Sequence, residues 1–140
     1  MSERNVELHR KLAAVFTARD VEGFISYFDP RVEFHSEFAT LGGLYHGHAG
    51  MRRLLQDFEE AWGDEMRIQP RTYFDLGERT LLFLDVRARG SRSGAEVTML
   101  SAHLITWRDG LVTAFRGYDE RSNALSDLGV SEDALDPIEA

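Results

Sequence analysis

The chain has 140 residues, of which 43% are hydrophobic and 29% charged, and this composition is typical of one globular domain with a full hydrophobic core. Its formal net charge of −8 disfavours nucleic acids and anionic membranes as partners, because both attract basic surfaces. There is no cysteine, no signal-peptide pattern and no apolar run of membrane length, so we expect a cytoplasmic enzyme or binding protein without disulfides or cysteine zinc sites.

Hydrophobic residues at helical spacing predict three helices in the first half of the chain. Their ranges are 4–18, 21–28 and 49–62. Asp20 is a good N-cap for the second helix, and the dipeptide Asp29-Pro30 is expected to stop it. A glycine-containing loop, 39–47, precedes the third helix.

Apolar runs bounded by turn residues predict five strands. Their ranges are 31–38, 65–74, 80–89, 95–107 and 111–118. The Asp-Gly turn before Leu111 predicts a hairpin between the last two strands, and Pro70 indicates an edge position or a bulge in the second. A weak last helix, 121–128, ends at Gly129, and Asp119 is placed either to cap it or to orient a histidine.

Early helices and late strands indicate an α+β domain. Three helices can cover only one face of a curved sheet, yet strand 95–107 is apolar on both faces. Leu100, Ala102 and Leu104 alternate with Met99, His103 and Ile105. We therefore predict a homodimer that forms through the uncovered face of the sheet.

His103 is the lone ionisable group in the middle of its strand, with Ser101 and Ile105 two residues away on the same face. An imidazole in apolar surroundings has a lowered pKa and can act as a neutral base or a hydrogen-bond donor. The alternative is a core histidine that is satisfied by one partner.

His35 lies on the more polar face of the first strand. That face carries Glu33, His35 and Glu37, and the other carries Val32, Phe34, Ser36 and Phe38. The alternation is typical of a half-solvated strand. If the polar face instead meets a cavity, His35 is the best candidate for a general base.

The remaining histidines have simpler interpretations. His9 lies in a basic stretch of the first helix and is expected to be solvated. His46 and His48 flank Gly47, but the H-x-H spacing fits no helical ligand pattern. We therefore interpret this segment as the entry to a helix and predict no metal site.

Five short segments carry a resemblance to a known superfamily. They are DVEGF at 20–24, YFDP at 27–30, YHG at 45–47, DLGER at 75–79 and WRDGLV at 107–112. Together with the order of elements, they make the chain similar to the nuclear transport factor two-like superfamily, in particular its SnoaL-like and ketosteroid-isomerase-like members. The resemblance spans residues from about 5 to 128.

The resemblance implies a cone-shaped, curved mixed sheet wrapped on three N-terminal helices, in the cystatin-like α+β barrel class. It also implies a deep apolar cavity that is open at one end, usually a dimer, and chemistry without a cofactor. The domain would comprise residues 1–130, followed by a mobile acidic tail at 131–140.

The catalytic positions of ketosteroid isomerases are only partly matched. Depending on register, the general base falls on Phe34, His35 or Ser36, and only the histidine can accept a proton near neutral pH. The acid of the oxyanion hole falls on His103 and its tyrosine on Leu12. Steroid isomerisation by that residue set is therefore not expected.

Two other branches of the superfamily offer different chemistry. Limonene-epoxide-hydrolase-like members use an Asp–Arg–Asp arrangement, and here Glu78-Arg79 matches the arginine part while Leu81 stands where an aspartate is needed. SnoaL-like polyketide cyclases use acid/base groups on the last two strands, where His103 and Asp119 form the nearest pair.

Eight side chains are predicted to line the implied cavity and to favour a flat, apolar ligand such as a polyketide-, terpene- or steroid-like ring system. They are Phe28, Phe34, Phe58, Trp62, Met99, Ser101, Ile105 and Phe115.

Two hypotheses follow. In the first, the protein is a cofactor-independent isomerase, cyclase or lyase for a small apolar carbonyl compound. His103 would polarise the substrate oxygen, His35 would remove a proton from carbon, and Asp119 would support them. In the second, it is a non-catalytic module for ligand binding or assembly, since the carboxylates and the tyrosine of the isomerases are missing.

Overall fold

The computed structural model of the protein describes residues 2–36, 44–90 and 92–140. The four α-helices are α1 (Ser2–Thr17), α2 (Val21–Ile25), α3 (Gly47–Trp62) and α4 (Arg121–Leu128). The seven strands are β1 (Phe28–Ser36), β2 (Leu44–His46), β3 (Arg67–Asp75), β4 (Arg79–Arg89), β5 (Glu96–Arg108), β6 (Leu111–Tyr118) and β7 (Pro137–Glu139). A short 3-10 helix, Glu132–Ala134, precedes β7.

All seven strands form one mixed sheet in the order β2-β1-β6-β5-β4-β3-β7. Five of its six strand pairs are antiparallel, and the pair of β1 and β6 is parallel. The sheet is curved and unclosed, which confirms the predicted cone-shaped α+β fold. The hairpin between β5 and β6 turns at Asp109 and Gly110, whose positive φ values of 52° and 80° suit a tight two-residue connection.

The concave side of the sheet holds the main core, beneath α1, α2 and α3. One buried cluster joins Leu12 of α1 and Leu54 of α3 to Phe34, Ile105 and other strand residues. A second cluster, around Met66 and the middle of β4, continues this core toward β3. Helix α1 reaches both clusters because its apolar residues recur every three or four positions.

The opposite face of the sheet is partly covered by the chain itself. A third buried cluster joins Ala124 of α4 to Phe83, Ala102 and Tyr118, with Leu135 packed against it. Arg121 anchors α4 by donating hydrogen bonds to two strand carbonyls at 3.1 and 3.3 Å and by pairing with Asp85. A second copy of the chain is therefore not needed over this part of the face.

The second helix is shorter than predicted. Asp20 caps it as expected, accepting a 2.9 Å hydrogen bond from the backbone N–H of Gly23, but the helix ends at Ile25. Tyr27 and Phe28 then join the sheet, where the carbonyl of Tyr27 accepts from Val112 at 2.8 Å. Pairing with β6 prevails over the local helical pattern.

Two short strands were not predicted. Strand β2 lies within segment 39–47, which was expected to be a loop. Residues 37–43, which include the end of predicted strand 31–38 and the start of that loop, lie outside the described part of the chain. Strand β7 pairs with Thr72, Tyr73 and Phe74 of β3, so the expectation of a mobile tail is wrong. The bulge expected at Pro70 is present as a register shift between Pro70 and Thr72.

None of the helices within the described residues is both long enough and apolar enough to cross a membrane.

Candidate functional site

A pocket of about 70 Å³ lies between α1, α3 and the concave face of the sheet. Most of its wall is apolar, with rings and aliphatic chains contributed by both layers. The polar or titratable side chains in the wall are His9, Ser36, Ser101, His103 and Tyr118. No carboxylate is among the lining residues that the structure describes.

His103 stands in the middle of β5 and faces this pocket. Its ring packs on Phe115, with 4.8 Å between ring centroids, and it has no hydrogen bond to any described residue. Removal from water lowers the pKa of His103 from 6.5 to about 4, because burial penalises the charged imidazolium. The ring is therefore neutral at neutral pH.

His9 of α1 lines the same pocket and is 2% exposed. Its Nδ1 lies 2.8 Å from Oγ1 of Thr80, which also accepts a 2.9 Å hydrogen bond from Nε1 of Trp107. The pKa of His9 is well below its ordinary value, chiefly through desolvation and secondarily through the charge that His103 would carry. Two neutral imidazoles thus share one apolar pocket, and protonation of one opposes protonation of the other.

Ser101 supplies a hydroxyl two residues from His103 on the same face of β5. The residue is 4% exposed, and its Oγ has no hydrogen-bond partner within the described ranges. Buried hydroxyl groups are normally paired, and leaving one unpaired costs about 1–3 kcal/mol.

Five of the residues predicted to face the cavity lie in the pocket wall: Phe34, Phe58, Ser101, His103 and Phe115. The other predicted ligand contacts are absent from the wall. Phe28 and Ile105 are fully buried in the core beneath α1 and α3. Trp62 and Met99 pack instead against the cluster around Met66.

His35 lies on the opposite face of β1 and is not among the lining residues, so the structure does not bring it together with His103 in this pocket. Phe34 and Ser36, its neighbours in sequence, point to the pocket, and strand alternation turns His35 away. It lies in register with Leu44 and Arg116 on the far side of the sheet.

Asp119 is half-buried just beyond the end of β6 and is not among the lining residues. The predicted support of a histidine in the pocket is therefore not seen. Helix α4 begins at Arg121, with Glu120 at its N-cap position one residue after Asp119.

The two histidines near the start of α3, His46 and His48, lie outside the pocket wall. The ring of His48 donates a 2.7 Å hydrogen bond to the carbonyl of Phe28, and His46 is exposed at the start of the helix. Over residues 2–36, 44–90 and 92–140 there is no cluster of three or more potential metal ligands.

His9 is the site residue that sequence reasoning missed. It was expected to be solvated because of its basic neighbours, yet a periodicity signal was present. Val6, His9, Leu12 and Phe16 recur at helical spacing, and all four are buried or half-buried. A histidine inside such a stripe faces the core, whatever flanks it in sequence.

Residues 9–115, more than half of the chain, match the family model of the SnoaL-like domain. The chain belongs to the SnoaL-like domain family. This agrees with the resemblance found in the sequence segments and with the cone-shaped fold.

Several solved structures share the fold of this SnoaL-like protein. It is 30% identical to TerC, crystallised with polyporic acid, over 89% of this chain and 97% of TerC, with a TM-score of 0.74. A nuclear transport factor two-like protein of unknown function from Burkholderia pseudomallei is 22% identical over 90% and 97% of the two chains, with a TM-score of 0.77. A protein with a ketosteroid isomerase-like fold from Catenulispora acidiphila, in complex with trimethylamine, is 14% identical over 91% and 95%, with a TM-score of 0.72. No protein with a curated description matches the chain.

Proposed function

We propose that this SnoaL-like protein binds a small, neutral, ring-bearing carbonyl compound and moves a proton on it, as a cofactor-independent isomerase or cyclase. The observation that carries the proposal is the pair of His9 and His103 in one apolar wall, next to the unpartnered hydroxyl of Ser101. Family membership supports small-molecule chemistry, and the polyporic acid in the TerC crystal supports a ring compound as the ligand.

The geometry assigns different tasks to the two imidazoles. In the tautomer that this role requires, the Nδ1–H of His9 donates to Thr80, and Nε2 is left unprotonated to act as a base. It would take a proton from the carbon next to the substrate carbonyl, and the electrons of that C–H bond would form an enolate. Ser101 and an N–H of His103 would donate hydrogen bonds to the enolate oxygen.

In a substrate with a carbon–carbon double bond conjugated to the new enolate, the proton would then return from His9 to the far carbon of that double bond, which moves the double bond and completes an isomerisation without loss of atoms. The apolar wall makes both steps effective, because hydrogen bonds to a developing oxyanion are stronger where water is excluded. Trp107 holds Thr80 from the other side and so fixes the ring of His9.

Proton exchange at the carbon next to the carbonyl of 1-tetralone, followed by proton NMR in D2O, tests this function. We expect the wild type to accelerate exchange and His9→Gln or His103→Gln to lower the rate by about 100-fold or more, the usual contribution of a general acid or base. His46→Gln removes an exposed histidine outside the pocket and is the matched control. Exchange at the wild-type rate in both pocket variants would rule out this chemistry.

One observation favours a second candidate, a module that binds the ligand without transforming it. No carboxylate lines the pocket among the described residues, and Asp119 lies outside it. In this case the wild type would bind 1-tetralone, detected by chemical-shift changes, without accelerating its proton exchange.

A further inference from the structure

The pocket at His103 is small for the proposed ligand. Its volume is about 70 Å³. Sites for small molecules commonly measure roughly 300–1,000 Å³. A ring compound whose carbonyl reaches His103 therefore needs additional space.

That space lies on the other side of the helices. A groove of about 480 Å³ runs between the end of α1, α2 and α3, and we call it the helix groove. Val15 and Leu55 give it apolar walls. Its charged lining residues are two cations, Arg19 and Arg52, and two anions, Asp20 and Glu59.

Two aromatic side chains, Phe16 and Phe24, belong to the walls of both the pocket and the helix groove. Their ring centroids are 5.7 Å apart and the rings are tilted by 52°. This pair forms the partition between the two spaces. The volumes of the two spaces together fall within the usual range for a ligand site.

Phe24 is the more deeply buried side of the partition, and Phe16, which also packs edge-on against Phe58 at 6.3 Å, is the less buried side. Phe24 is 5% exposed and packs on Phe28 at 4.8 Å between centroids. Phe16 is only half-buried and lies one residue before the end of α1 at Thr17. Rotamer changes of partly exposed side chains are fast, so Phe16 is the residue expected to open the partition.

The charges around the helix groove argue for a neutral occupant. Two lining residues are cationic and two are anionic, so no net field selects an ion. The guanidinium of Arg52 is already engaged by Glu22 in a bidentate ion pair at 2.6 and 3.0 Å. Apolar surface, rather than charge, is what the groove offers to a ligand.

We propose that the helix groove is a second subsite of the ligand site, separated from the pocket by Phe16. The ligand is then an elongated, neutral compound with at least two rings, whose carbonyl end lies at His103 and whose far ring lies between α1, α2 and α3. This inference rests on the proposed function for the position of the carbonyl end.

Two ketones that differ by one ring test the second subsite. Cyclohexanone carries the carbonyl ring alone, and 4-phenylcyclohexanone adds the ring that would enter the helix groove. We expect the second ketone to bind wild type about tenfold more tightly, as measured by NMR titration, because burying one more ring stabilises the complex. In Gln56→Trp, which fills the groove from α3, this ratio of affinities should fall to near one.

Arg53→Trp is the matched control, because it adds the same bulk at an exposed position of α3 outside the groove. A ratio that stays at the wild-type value in Gln56→Trp overturns the second subsite while leaving the proposed function intact. If the wild type binds neither ketone, the proposed function itself fails, and the subsite fails with it.

The role of Phe16 has its own measurement. Removing the ring in Phe16→Ala should increase the association rate constant of 4-phenylcyclohexanone, read from NMR line shapes. Leu8→Ala, a half-buried change on α1 outside both walls, should leave that rate constant near the wild-type value. Equal rate constants in Phe16→Ala and wild type would show that Phe16 does not control access.

Discussion

Burial lowers the pKa values of His103 and His9. In each case the low-dielectric surroundings disfavour the imidazolium, and no described carboxylate lines the pocket to compensate. A proton accepted from a substrate would therefore be held weakly and returned readily. Such a base suits a reaction in which the same proton is removed and put back.

The same burial predicts how stability depends on pH. The imidazole of His103 has a pKa of about 4 in the fold and 6.5 as a free group, so between these values only the unfolded chain takes up the proton. The unfolding free energy that the neutral ring of His103 contributes is present above pH 6.5 and is lost as the pH falls toward 4. Over this range the wild type should lose on the order of 2–3 kcal/mol of unfolding free energy that His103→Gln does not lose.

Urea denaturation at a series of pH values measures this difference directly. His46→Gln, which alters an exposed histidine, should follow the wild-type curve. If the unfolding free energies of the wild type and His103→Gln changed equally with pH, the imidazole of His103 would have the same pKa in the folded and unfolded chains.

Sequence alone could predict His103 and Ser101 in the site, because a lone ionisable group in an apolar strand stands out and its face follows from alternation. The sequence could not show which face of β1 meets the pocket, because a shift of one residue in register replaces His35 with Phe34 or Ser36 on that face. It could have found His9, had helical spacing been given more weight than charged neighbours. The partnership of His9 with Thr80 joins residues 71 apart, and no local pattern contains it.

At the scale of elements, the long helices and strands were predictable because their periodicity is strong over many residues. Helix α3 and strands β4, β5 and β6 agree with prediction to within two residues at each end. The failures are short elements. Helix α2 loses its last turn to pairing with β6. Strands β2 and β7 have three residues each and depend on pairing, β2 with the neighbouring β1 and β7 with the distant β3.

At the end of the chain, an acidic composition led to the wrong expectation of a mobile tail. The acidic residues of segment 131–140 indicate solvation, yet Leu135 and Ile138 each pack against a hydrophobic cluster. The backbone of β7 then pairs with β3, and Arg10 of α1 donates a 2.8 Å hydrogen bond to the carbonyl of Glu139. Two apolar side chains and an available sheet edge are sufficient to order a polar segment.

At the scale of the whole molecule, α4 divides the outer face of the sheet into a covered and an uncovered part. The uncovered part presents Leu44 of β2, 51% exposed, and Leu100 of β5, 57% exposed, whereas Leu104 packs against the cluster that α4 covers. Exposed apolar side chains on a sheet face are available for contact with another protein. We propose that two copies of the chain associate through this part of the face.

Light scattering coupled to size-exclusion chromatography tests the association. We expect a dimer for the wild type and a monomer for Leu100→Glu, because a carboxylate at the centre of an apolar interface would be buried without a partner. Val130→Glu, at a position 38% exposed and outside the sheet, should remain dimeric. A wild type that elutes as a monomer at micromolar concentration would contradict the proposal.

The central claim is that His9 and His103 face one dry pocket as neutral imidazoles, and nitrogen NMR of the imidazole rings during a pH titration tests it most directly. We expect the ring signal of His103, assigned with His103→Gln, to stay at the neutral-imidazole position from neutral pH down to about pH 5, and that of His9, assigned with His9→Gln, to titrate below the midpoint of a free imidazole. Protonation of His103 with a midpoint near that of a free imidazole would contradict it.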